Sequence, residues 1–215
     1  MGVPVRLLAL LLGGAVLLTG CGTTEFVPGD TTEPRPTFTP DEQLDPPADV
    51  PDPTAVTIPK IGAHSSLIPL GLTPEGALAV PPVDTPSQAA WYAGKQPDVD
   101  GDEYEPGSPD GPAILSGHVD GTGPNGEHGF PGIFAKLGEL KAGDEILIDR
   151  EDGSQLKFVV TAVERYSKDA LPWDRIMAPT EKPSLRAITC GGSFDPVARH
   201  YTDNTVAFAE LASGG

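Results

Sequence analysis

Leu185-Arg186-Ala187-Ile188-Thr189-Cys190-Gly191-Gly192 is an apolar, β-favouring run that stops at a glycine pair. The same pattern recurs at Ala113-Ile114-Leu115-Ser116-Gly117-His118-Val119-Asp120-Gly121, where an apolar run meets a glycine and then displays a histidine. Other short runs rich in Val, Ile and Leu fall at 55–61, 66–71, 77–80, 145–150, 155–166 and 204–211, parted by Gly and Pro. With 113–116 and 185–190 they predict about eight strands. The pair 145–150 and 155–166 is joined by Glu151-Asp152-Gly153-Ser154, a hairpin signal. Two helical pieces are expected, at 86–93 and at 131–140, where Ile133, Phe134, Leu137 and Leu140 share one face. So many short strands with so little helix predict a mainly β domain, either a closed barrel or a sandwich. Closure into a barrel would also remove exposed sheet edges.

Working outward, this pattern fills residues 54–215, the length of one domain. Over that span 12 Lys and Arg stand against 23 Asp and Glu, a net charge of −11. Such a balance speaks against a nucleic-acid partner, which needs a basic face. Residues 22–53 hold eight prolines, eight acids and one basic residue, Arg35. That composition cannot bury enough apolar surface to fold, and reads as a disordered linker with a reach on the order of 100 Å. Residues 1–21 carry Arg6 and then the apolar stretch Leu7 to Leu18, shorter than the roughly 20 residues that span a bilayer. They end in Leu18-Thr19-Gly20-Cys21, a bacterial lipobox in which Cys21 is lipidated and becomes the new N-terminus. Two acyl chains there would anchor the protein to the extracytoplasmic face of the membrane.

With Cys21 in the leader, Cys190 is the only thiol of the mature domain. An unpaired cysteine in an exported protein has no disulfide partner, and unpaired thiols are often just buried small hydrophobes. Its place at a strand end, beside a glycine pair, suits a thiol nucleophile as well. His118 is displayed at another strand end, 72 residues earlier, and two strand ends can lie side by side at one barrel mouth. After Cys190 the only cationic residue is Arg199, ahead of the last strand. Arg186 is its rival as the site arginine, because even spacing puts it on the same strand face as Cys190.

His118, Asp120 and His128 lack the spacing of a known metal site. Asp98-Val99-Asp100-Gly101-Asp102-Glu103 has its glycine at the wrong position for an EF-hand, and Pro109 stands where the closing Glu belongs. It reads as a solvated acidic loop. His64 and His200 read as structural or surface residues. No metal or cofactor is therefore expected, and thiolate chemistry needs none.

The sequence resembles the sortases, the cysteine transpeptidases of Gram-positive cell surfaces, and most of all the actinobacterial class F group. The resemblance runs through Ile58-Pro59-Lys60-Ile61-Gly62, Gly76-Ala77-Leu78-Ala79-Val80-Pro81, Trp91-Tyr92 and Ser116-Gly117-His118-Val119-Asp120. It continues through Gly132-Ile133-Phe134-Ala135-Lys136-Leu137, Ile188-Thr189-Cys190-Gly191-Gly192 with Phe194-Asp195, and Tyr201-Thr202-Asp203-Asn204. It implies a closed eight-stranded β-barrel with one or two short helices. It implies catalysis on peptide bonds by Cys190, His118 and an arginine, through a thioester acyl-enzyme. The substrates it implies are secreted proteins with a Leu-Pro-x-Thr-Gly sorting signal, and the acceptor an amine of a peptidoglycan precursor. Two departures stand out: the family more often uses an uncleaved membrane anchor, and class F members often carry an arginine where this chain has Thr202. Two other classes are a different cell-wall cysteine enzyme and a non-catalytic surface lipoprotein. An L,D-transpeptidase would place Ser-His-Gly before its cysteine, where Ala187-Ile188-Thr189 stands. An NlpC/P60-like peptidase would place its cysteine before its histidine.

Overall fold

The computed structural model describes residues 51–74, 76–93, 111–178 and 180–213. The leader with Cys21, the linker up to Val50 and the acidic stretch Asp98–Glu103 lie outside the described residues. Ten strands are described: β1 Pro53–Ile58, β2 Ala63–Leu70, β3 Ala89–Tyr92, β4 Pro112–Gly117, β5 Asp120–Thr122, β6 His128–Pro131, β7 Glu145–Arg150, β8 Gln155–Ser167, β9 Ser184–Asp195 and β10 His200–Leu211. Eight of them close into a barrel in the order β1-β2-β3-β4-β9-β10-β8-β7, while β5 and β6 form a separate two-stranded ribbon. Among the described residues no helix is long and apolar enough to cross a membrane.

The expected hairpin is present as β7–β8, with Asp149 opposite Gln155. The expected run 55–61 stops at Ile58, because Pro59 has no N–H for the ladder. A 3₁₀ turn over Pro59–Ile61 follows, and Gly62 at φ 66° reverses the chain into β2.

Three expectations are corrected. Residues 86–93 were expected to be helical, yet Ala89–Tyr92 form β3, parallel to β2 and antiparallel to β4. Ala89 and Ala90 are fully buried there, so pairing on both edges overrides alanine's helix preference. Residues 131–140 are turns ending in a 3₁₀ turn over Leu137–Glu139. The apolar face was read correctly, because Phe134, Leu137 and Leu140 are all buried, but as a plug in the barrel. The Phe134 N–H donates to the His118 carbonyl at 3.0 Å, a bond that a helix through 131–140 would not make. Residues 77–80 join no barrel strand and make one isolated bridge, Leu72 to Leu78. Among the described residues the single α-helix is one turn, α1 at Trp173–Ile176.

Strand alternation builds two apolar layers. The barrel interior takes residues from all eight strands, among them Val56, Leu67, Trp91, Leu115, Ile148, Phe158, Leu185 and Ala207. On the outside, Ile114, Ile188, Val206 and Phe208 form a second cluster, covered by Ile176 and by Leu171 and Met177 at the two sides of α1. Phe158 is 1 % exposed at the centre of the inner layer. Phe158→Ala is expected to cost about 3–5 kcal/mol, read as a lower urea midpoint with an unchanged slope.

Candidate active site

Parallel pairing of β4 with β9 sets Ser116 opposite Ile188. Two residues further on come Cys190, still within β9, and His118, one residue past the end of β4. Alternation puts Cys190 on the face of Ile188. Ala113 and Leu115 point into the barrel with Leu185 and Ala187, whereas Ile114 and Ile188 point outward. Cys190 is half-buried and free of disulfide bonding.

The strand carrying Cys190 does not end there, contrary to expectation. β9 runs on to Asp195 and pairs with β10 almost to the turn. Gly192-Ser193 form a bulge in place of a stop: the register shifts between Tyr201 and Asp203, and Gly192 has φ 78°. Glycine permits this, since any Cβ at 192 would meet the Thr202 Oγ1 and Asp203 carboxylate at 2.5 Å. Asn204 then faces Cys190 directly.

His118 is held from three sides. Its ring Nε2 lies 2.6 Å from the Pro81 carbonyl oxygen. A carbonyl only accepts, so Nε2 carries a hydrogen and Nδ1 is the atom left for acid/base work. The His118 carbonyl accepts from Phe134, and the Val119 carbonyl accepts from Gly132 at 2.9 Å. Gly132 has to be glycine, because a Cβ there would sit 2.2 Å from the His118 oxygen.

A second contact joins the histidine segment to the cysteine hairpin. The Tyr201 hydroxyl, on β10, donates to the Asp120 carboxylate. This bond pushes the Tyr201 phenol up to about 12, helped by burial and by the negative charges of Asp120 and Cys190. Phe194 packs edge-on against Tyr201, with ring centroids 5.3 Å apart.

The arginines lie apart from this pair. Arg199 sits in the β9–β10 turn at φ 56°, five residues before Asn204. At the rise of an extended strand that is about 16 Å of chain. Arg186 is 6 % exposed and stacks on Phe208, its guanidinium carbon 4.8 Å from the ring centroid. Arg175 covers the same ring at 4.7 Å. Burial and the Arg175 charge bring Arg186 down to about 10, and its Nε has no partner among the described residues. The other histidines lie elsewhere. His64 bonds Thr57 at 2.9 Å, His200 bonds the Tyr201 carbonyl at 2.9 Å, and His128 is exposed on β6.

The sortase domain family matches residues 56–212. The chain belongs to the sortase family. The fold agrees. Sortase A from Corynebacterium diphtheriae, as a lid mutant, superposes with a TM-score of 0.52 at 17 % identity, covering 80 % of this chain and 74 % of that one. Sortase C1 from Streptococcus agalactiae gives 0.51 at 17 % identity, covering 75 % and 68 %. Sortase C from Clostridium perfringens gives 0.50 at 15 % identity, covering 75 % and 71 %. No curated protein matches the chain. The sequence singles out His118 and Cys190 in this sortase and gives no role to Pro81, Tyr201 or Asn204. Counting back along a β9–β10 hairpin would reach Tyr201 opposite Phe194, but it would set Thr205 opposite Cys190, because the bulge is not legible in the count.

Asp120→Asn keeps an acceptor and removes the charge, so Tyr201 is expected to titrate below about 12, nearer an ordinary phenol. Carbon-13 tyrosine NMR reads this directly. Because the folded phenol is raised, its contribution to stability is present below about pH 10. That contribution is lost as pH rises toward 12. An unmoved titration would show the contact to be absent in solution.

Proposed function

We propose that this sortase is a class F-type transpeptidase that cleaves a Leu-Pro-x-Thr-Gly sorting signal between Thr and Gly. The observation that supports the reading is the parallel pairing of β4 with β9, which brings His118, one residue past the end of β4, to the same end of the sheet as Cys190 on β9. Cys190 Sγ, as thiolate, attacks the threonine carbonyl carbon. His118, as imidazolium, gives the proton on Nδ1 to the departing glycine amine, leaving a thioester. The neutral ring then takes a proton from an incoming amine of a peptidoglycan precursor, which displaces Cys190 and restores the thiolate. Where water replaces the amine, the same steps hydrolyse the signal.

Arg199 is the proposed cation. It shares the β9–β10 hairpin with Cys190 and makes no hydrogen bond or ion pair among the described residues, so its guanidinium is free to approach the developing oxyanion. Arg186 is the alternative on the strand itself. Residues 54–215 are the proposed catalytic domain, held off the membrane by the 22–53 linker and anchored through a lipid on Cys21.

Cys190→Ala is expected to abolish cleavage of sorting peptides and the acyl-enzyme mass, with an unchanged circular dichroism spectrum. His118→Ala should lose more than about 10⁴ in rate, and His64→Ala should stay near wild type. Arg199→Ala and Arg199→Lys should each fall about 10²–10³-fold. Full activity in Arg199→Ala together with loss in Arg186→Ala would move the role to Arg186.

Anchoring has its own test. Metabolic labelling with a fatty-acid analogue should mark the wild-type chain and leave Cys21→Ser unlabelled. Equal labelling, or a membrane-bound chain still beginning at Met1, would point to an uncleaved anchor.

A further inference from the structure

We infer that Asn204 is a catalytic residue of this site, its carboxamide N–H donating to the oxyanion that forms when Cys190 attacks. The inference rests on the transpeptidase reading and assigns it a group that the sequence did not single out. Asn204 stands directly opposite Cys190 in the antiparallel β9–β10 pair. Residues so opposed share a face, with Cβ atoms about 4.5–5.5 Å apart. Val206 and Phe208, in step with Asn204, lie in the outer cluster with Ile188, which confirms that face. Asn204 is half-buried, and its side chain makes no hydrogen bond among the described residues.

Two hydroxyls of the hairpin are committed elsewhere, and the unpartnered Thr189 hydroxyl is buried on the inward-facing side of β9. The Tyr201 hydroxyl donates to Asp120. The Thr202 hydroxyl accepts from the Ser193 N–H at 3.2 Å, across the bulge. Arg186 lies two strand positions beyond Ile188, under the outer cluster and stacked on Phe208. Arg199 is on the turn. Asn204 therefore carries the free N–H donors that the sheet itself fixes beside Sγ.

The electron count is simple. Sγ bonds the carbonyl carbon, the π pair moves onto oxygen, and a tetrahedral oxyanion forms within one bond of the atom attached to Sγ. The Asn204 amide meets that oxygen more strongly than the neutral carbonyl it replaces, which is the condition for a rate effect. When the oxyanion collapses, the C–N bond breaks, and the amine leaves with the proton from His118.

The test uses the 54–215 domain within the full chain, with Asn204→Ala and the near-isosteric Asn204→Leu, on a Leu-Pro-x-Thr-Gly peptide. Both variants should lose about 10²-fold in kcat, with KM within a few-fold of wild type. Alkylation of Cys190 by iodoacetamide forms no oxyanion, so its rate should not change, and this also reports an intact site in each variant. Undiminished turnover in both variants would overturn the assignment. So would a fall in alkylation that parallels the fall in turnover, since Asn204 would then act on the thiol. A wild-type chain that neither cleaves nor acylates would remove the transpeptidase reading, and this inference with it.

Discussion

The parallel pairing of β4 with β9 is the constraint on which the rest of this structure depends. Parallel strands finish at the same end, so residues 72 apart in sequence arrive side by side without help from a loop. Both strands are central. β4 lies between β3 and β9, and β9 between β4 and β10. All six residues of β4 are buried. A site set on such strands inherits the rigidity of the sheet, which a displayed loop would not provide. The short β5–β6 ribbon that follows His118 has its backbone tied to Val83 through Thr122 at 2.8 Å.

Alternation on β9 gives its two faces different work. Leu185 and Ala187 complete the inner core, and Arg186, Ile188 and Cys190 line the outer face in one file. A buried arginine in that file is costly, and two features reduce the cost. Its guanidinium lies on the Phe208 ring, opposite Arg175. Arg175 in turn is engaged by Glu164, both of whose oxygens accept from it at 2.5 Å. Hydrogen bonds from Arg175 and Tyr166 hold the Glu164 carboxyl down to about 2, so the pair persists over the whole neutral and mildly acidic range. Arg175 thereby braces α1 against Phe208 of β10.

Much of this was legible from local pattern. All the apolar runs but 77–80 became strands, and the Glu151–Ser154 signal became the β7–β8 hairpin. What escaped was set by partners distant in sequence. Nothing within 86–93 announces that β2 and β4 will pair with both edges of Ala89–Tyr92. Nothing within 131–140 announces that its amides will be claimed by His118 and Val119. Nothing in the residues after Cys190 announces how far β9 will continue before the turn that holds Arg199. Because β9 extends to Asp195, the turn that holds Arg199 lies well beyond the thiol.

The glycine pair shows how one local feature redirects the chemistry. Counting back from the turn, Asp195 opposes His200 and Phe194 opposes Tyr201. Continued without interruption, that register would set Thr205 opposite Cys190. The bulge at Gly192-Ser193 places two residues of β9 against Thr202 of β10, and the register moves by a single step. Thr205 consequently turns inward, where its Oγ1 lies 2.5 Å from the point a Cβ on Gly191 would occupy. Asn204 turns outward to the thiol. A slip of one residue exchanges every side chain between the two faces of a strand. The positive φ that only glycine adopts freely at 192 therefore decides which polar group stands beside the nucleophile, and the residues that follow Cys190 act on the site through geometry.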